Sequence, residues 1–142
     1  MRKWISYLCT NTICDSDALL RVRDKMFETR DMGYDNARRA QMDLGKKIRQ
    51  ALGERGFTSV AAPQYEAPGV VVVHTPTADM VARFGRAGVQ VAAGMKFCLD
   101  EHPQIQTFRV GLFGLEKWKD VDGTVKNFKD ALNNALESKS IL

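Results

Sequence analysis

The order of apolar periods along the chain predicts an α+β domain: a small, mainly antiparallel β-sheet with helices packed on one face. Three observations carry that expectation. Two long stretches with apolar residues at three- and four-residue steps come first. The middle of the chain then switches to short β-branched or alternating runs, cut by glycine and proline. A last helical period follows Asp120. Short strands joined by turns and one short helix favour antiparallel pairing, and amphipathic helices bury their stripes against one side of such a sheet.

The first helix is predicted over residues 15–32. Asp15 or Ser16 caps it, Leu19, Leu20, Val22, Met26 and Phe27 form its apolar stripe, and Gly33 ends it. The second runs from Asp35 to Arg55, with Ala37, Leu44, Ile48, Ala51 and Leu52 inward and Gly56 as its stop. Arg38, Arg39, Lys46, Lys47 and Arg49 read as its solvated face. Thr58 to Ala62 is expected as a short edge strand closed by Pro63. Pro68-Gly69 is a turn, and Val70 to Val73 is a β-branched run of the kind found in strands covered on both faces. Pro76 stops it. Asp79 to Arg86 makes a short helix with Met80, Val81 and Phe84 inward, ending near Gly88. Val89 to Ala92 and Thr107 to Phe113 are two further strands. Asp120 caps the closing helix, whose buried line is Val121, Val125, Phe128, Leu132 and Leu136.

A chain of 142 residues can bury a core without metal or disulfide staples. Net charge is +4 and the basic residues are interleaved with acids, so charge alone does not call for nucleic acid. Cys9, Cys14 and Cys98 make an odd set with no CxxC pair, and neither His74 nor His102 stands at metal-ligand spacing from them. No metal site is expected, and a reducing, cytoplasmic setting is. No apolar run approaches the ~20 residues of a membrane span. The N-terminus MRKWISYLCTNTIC lacks a signal-peptide apolar core. There is no GxxxxGK[ST] loop and no GxGxxG after a strand. The string FRVGLFG departs from the aromatic signature of RNA-binding sheets in the place of its glycine.

The stretch QTFRVGLFG, residues 106–114, holds the residue with the sharpest chemistry. Phe108, Val110 and Leu112 alternate with Arg109, Gly111 and Phe113, so one face is apolar and the other carries Arg109. A guanidinium is planar and holds a carboxylate through two parallel hydrogen bonds. A strand fixes its stem, and Gly111 on the same face leaves room for a small ligand. A solvated arginine paired with a surface acid fits the local pattern equally well.

Those residues also carry a resemblance. AGVQVAAGM and TFRVGLFGLEKWKDVDGTV, with GYDNARRAQMDLGKKIRQALGERGFTSVAAPQYEAPGVVVVHT upstream, resemble the C-terminal small domain of class V, fold-type I pyridoxal-phosphate aminotransferases of the alanine–glyoxylate and serine–glyoxylate group. The likeness spans roughly residues 15–137. It implies that Arg109 binds the α-carboxylate of a small amino or 2-oxo acid, at a cleft beside a large domain. Tyr7 and Thr10 match a Tyr-x-x-Thr segment whose side chains reach the cofactor phosphate in a homodimer, although the histidine that usually follows is absent.

In such enzymes the Schiff-base lysine and the carboxylate facing the pyridinium nitrogen lie in the large domain. Lys96 and Lys117 do not resemble the cofactor-lysine motif. The resemblance therefore implies that residues 1–14 link to a missing large domain and that 15–142 are the small domain. It further implies that pyridoxal phosphate is not bound covalently by this chain, which holds no catalytic residue of its own. The alternative is a stand-alone module that binds small acids or self-associates through the open sheet face.

Overall fold

A computed structural model describes residues 16–95, 102 and 104–137. The chain divides into two compact units, Met1–Ala37 and Arg38–Leu142. In the first unit, helix α1 (Ser16–Met32) forms where its period places it and ends at Gly33, which takes φ +85. Its apolar stripe, Leu19, Leu20, Val22, Met26 and Phe27, is exposed. The charges between these residues pair locally, as in Arg23–Asp24 at 2.8 Å and Lys25–Glu28 at 3.0 Å.

Helix α2 (Tyr34–Gly53) begins one residue before the predicted start and reaches into the second unit. Leu44, Ile48, Ala51 and Leu52 are buried as expected, because they share one face of the 3.6-residue period. The remaining elements are β1 (Val70–His74), α3 (Met80–Arg86), β2 (Ala92–Ala93), β3 (Thr107–Gly111), α4 (Leu115–Lys119) and α5 (Val121–Glu137). The architecture is α+β. The three strands lie in the order β1-β3-β2, and both pairings are antiparallel.

The register fixes the two faces. Val71 faces Val110 and Val73 faces Phe108, and all four are buried. They join Leu44, Ile48 and Leu52 of α2, Met80 and Phe84 of α3, and Phe128 and Leu132 of α5 in one core. Phe84 holds its middle, 5.5 Å from the ring of Phe108 and 5.8 Å from that of Phe128. Each such ring contributes roughly 2–3 kcal/mol by leaving water. All three helices thus pack on the same side of the sheet.

Several expectations shift. Residues 58–62 form no regular strand: Ser59 bridges to Val73, and Val60 N–H donates to the carbonyl of Val72 at 3.0 Å. That irregular segment covers part of the free edge of β1. Strand β1 is not covered on both faces. Val70 and Val72 are half-buried because they lie on the side away from the helices. The strand expected at Val89–Ala92 is instead Ala92–Ala93. The short helix α4 precedes the closing helix, whose cap is as expected: the Asp120 carboxylate accepts from Gly123 N–H at 2.9 Å. Within α5, Phe128 and Leu132 are buried, whereas Leu136 is 38% exposed near the helix end. Among the described residues no helix is long and apolar enough to cross a membrane.

Candidate functional site

Arg109 sits at the centre of β3 with Val72 of β1 on one side and Ala92 of β2 on the other. This cross-strand row lies on the face opposite the core. Small or β-branched neighbours cannot bury a guanidinium, so Arg109 is exposed. Among the described residues no ion pair or hydrogen bond engages its side chain. The solvated-pair alternative needs a surface acid beside it, and none of the described residues supplies one.

The side chain lines a depression of about 440 Å³, with Gly69, Val70, Gln90, Ala92, Gly111 and Phe113 around it. A Cβ built on Gly111 would meet nothing within 4 Å, so the floor next to Arg109 is open. Phe113 follows at the same parity, 69% exposed, and its ring lies against Gly69: a Cβ on Gly69 would come within 2.2 Å of the ring. Among the described residues no lining side chain is acidic. The chemistry on offer is therefore one fixed cation, one amide at Gln90, and apolar walls.

The wall formed by residues 67–70 is held from behind by α2. Gln41, Gly45 and Arg49 recur at four-residue steps and so share one helix face. The Gln41 amide donates to Pro68 O at 2.8 Å. Gly45 allows the loop to come close, since a Cβ there would stand 2.8 Å from that same oxygen. Arg49 donates to the carbonyl of Ala67 and, at 3.0 Å, to that of Val70. Its side chain is only 13% exposed and lies 3.5 Å from the Glu66 carboxylate. Arg49 is thus not part of the solvated face to which its sequence neighbours belong. A helical wheel places it on the flank, and only the docked loop turns it inward.

No protein-family model matches the chain, and no curated protein matches it significantly. The site stands on its own geometry.

A pyridoxal cofactor needs an amine for the Schiff base and a carboxylate for its ring nitrogen. The described residues of the depression supply neither, so by themselves they do not fit that group. Lys117 is engaged elsewhere, donating to Phe113 O at 2.7 Å. Tyr7, Thr10 and Lys96, like the three cysteines, lie outside the described residues. His74 stands at the end of β1 opposite Thr107, and among the described residues no three His, Cys, Asp or Glu side chains group to hold a metal. Sequence reasoning placed Arg109 and Gly111 on the face away from the core, where the structure has them. It missed Gly69 as a partner of Phe113, although Phe113 already shares the parity of Arg109; Pro68-Gly69 carried only a turn signal.

Proposed function

We propose that the chain binds a small organic carboxylate through Arg109, and that it does so as the substrate-carboxylate domain of a pyridoxal-phosphate aminotransferase acting on small amino or 2-oxo acids of the glyoxylate or pyruvate type. The observation that carries the first half is a guanidinium on a strand, with no partner among the described residues, facing a depression that has an open floor and no acid among its described lining. A cation presented there is poised for an anion, and the strand that carries it is already ordered by pairing on both sides. The second half rests on the FRVGLFG resemblance. In that reading the cofactor and its lysine belong to a large domain, the assembled enzyme is a homodimer, and this chain alone does not transaminate. The odd cysteine count supports a cytoplasmic location.

A stand-alone acid-binding module rests on the same observation about Arg109, and the experiments separate the two readings. Titrating the purified chain with glyoxylate and pyruvate tests the first half. We expect dissociation constants around 1 mM, as suits an open, solvent-screened site. Replacing Arg109 by alanine should weaken binding about 10- to 100-fold, the worth of a charge-assisted bidentate contact. Binding that survives this change removes Arg109 from the site. Adding pyridoxal phosphate to the chain and recording visible absorbance tests the second half. A stable Schiff-base band would contradict the absent lysine. An in-frame large-domain sequence upstream in the gene would support the aminotransferase reading against the module.

A further inference from the structure

We propose that Phe113, seated on the side-chain-less Gly69, is the specificity wall of this site, and that it restricts the acid held by Arg109 to one with a short side chain. The inference rests on the carboxylate reading above and concerns what lies beyond the carboxylate.

Arg109, Gly111 and Phe113 have the same parity, so the open floor at Gly111 lies between a cation and an aromatic ring. Five consecutive residues in extended geometry place their outer Cα atoms at most ~13 Å apart, and both side chains occupy part of that span. An acid whose carboxylate meets Arg109 therefore directs its other end toward Phe113.

The ring is braced. Its para carbon would stand 2.2 Å from a Cβ on Gly69, so the ring occupies the volume a side chain there would fill. The backbone on either side is also held. Leu112 N–H donates to Gly69 O at 3.0 Å, and Leu112 itself is 2% exposed. Phe113 O accepts from Lys117 Nζ at 2.7 Å, and Gly114 then turns the chain at φ +136. Gly69 is fixed in turn by the hold of Gln41 and Arg49 on its neighbours Pro68 and Val70. A ring 69% exposed is not there to fill the core, and bracing from below and behind is what a wall requires.

The test uses the full chain and two acids that differ only beyond the 2-oxo carboxylate: pyruvate and 2-oxo-4-methylpentanoate. Dissociation constants are measured by NMR titration of the wild type, Phe113→Ala and Gly69→Ala. Gly69 does not have a left-handed φ, so alanine is compatible with its backbone, and the added Cβ displaces the ring without deleting it. The wild type is expected to prefer pyruvate by about tenfold or more, the scale on which a few methylenes against an apolar wall are discriminated. In Phe113→Ala that ratio should fall below about threefold, and in Gly69→Ala it should depart from the wild-type value. A wild-type ratio near one, or a ratio unchanged in both variants while Arg109→Ala weakens binding as expected, overturns the wall and leaves the carboxylate site standing. Binding that persists in Arg109→Ala overturns the carboxylate site and the wall with it.

Discussion

The Trp118 indole N–H donates to Oε1 of Gln41 at 2.9 Å across 77 positions of sequence, and the same Gln41 amide donates to Pro68 O. One buried side chain thus satisfies a donor from α4 and an acceptor from the loop behind the site. Gln41 is 7% exposed, and Trp118 and Pro68 are half-buried, so water reaches both bonds only in part. Gln41→Leu keeps the volume but orphans both groups. It should destabilise the chain by about 2–3 kcal/mol, read as a lower urea midpoint at unchanged slope. A loss under ~0.5 kcal/mol would mean that the two groups find other partners.

Arg49 should not tolerate its usual conservative replacement. A lysine keeps the charge but is a point donor, whereas the guanidinium forks between the carbonyls of Ala67 and Val70. Arg49→Lys is expected to cost roughly 1.5–3 kcal/mol. The discriminating readout is local. Amide exchange at Leu112, whose N–H bonds to Gly69 O, should accelerate more than exchange within α5. Equal acceleration at both would indicate a global loss and no special hold on the loop.

Gly111→Val separates stability from binding. The new Cβ meets nothing, and a β-branched residue suits a strand better than glycine, so stability should hold or rise by up to about 1 kcal/mol. The side chain fills the floor beside Arg109, so pyruvate affinity should fall by about tenfold or more. A folded variant that binds pyruvate as well as the wild type would place the ligand elsewhere.

Two surface groups, Lys47 on α2 and Glu54 just past its end, give the pH dependence opposite signs at its two ends. Hydrogen bonding to Asp122, and next to Asp43, raises Lys47 above its ordinary 10.5. Its favourable contribution is complete below that value and is lost as pH rises through the folded one. Hydrogen bonds from Gln50 and Lys129 lower Glu54 below its ordinary 4.5, so its contribution is present above that value and is lost as pH falls. The melting-temperature gap between wild type and Lys47→Met should therefore hold at pH below 10.5 and narrow as pH rises beyond it, and should shrink with added salt at neutral pH. A gap independent of both would show that the pair does not form in solution.

Much of this molecule is written in local periodicity. The inward faces of α2 and β3, the Asp120 cap and the glycine stops at Gly33 and Gly56 follow from residue spacing and backbone freedom over a few positions. Arg109 and the empty position beside it were legible for the same reason, since alternation along one strand assigns each residue a face. Val70 to Val73 misled because an unbroken valine run looks the same whether one face or both are covered.

What spacing could not decide is which distant segment meets which. The inward turn of Arg49, the Trp118–Gln41–Pro68 chain and the seating of Phe113 on Gly69 each join residues far apart in sequence. No local pattern marks such pairs, because the free energy that selects them arises only when loop, helix and strand have docked. The sequence determined that a cation would stand on an open sheet face. Only the packing of the 67–70 loop against α2 decided that this cation would border a walled depression.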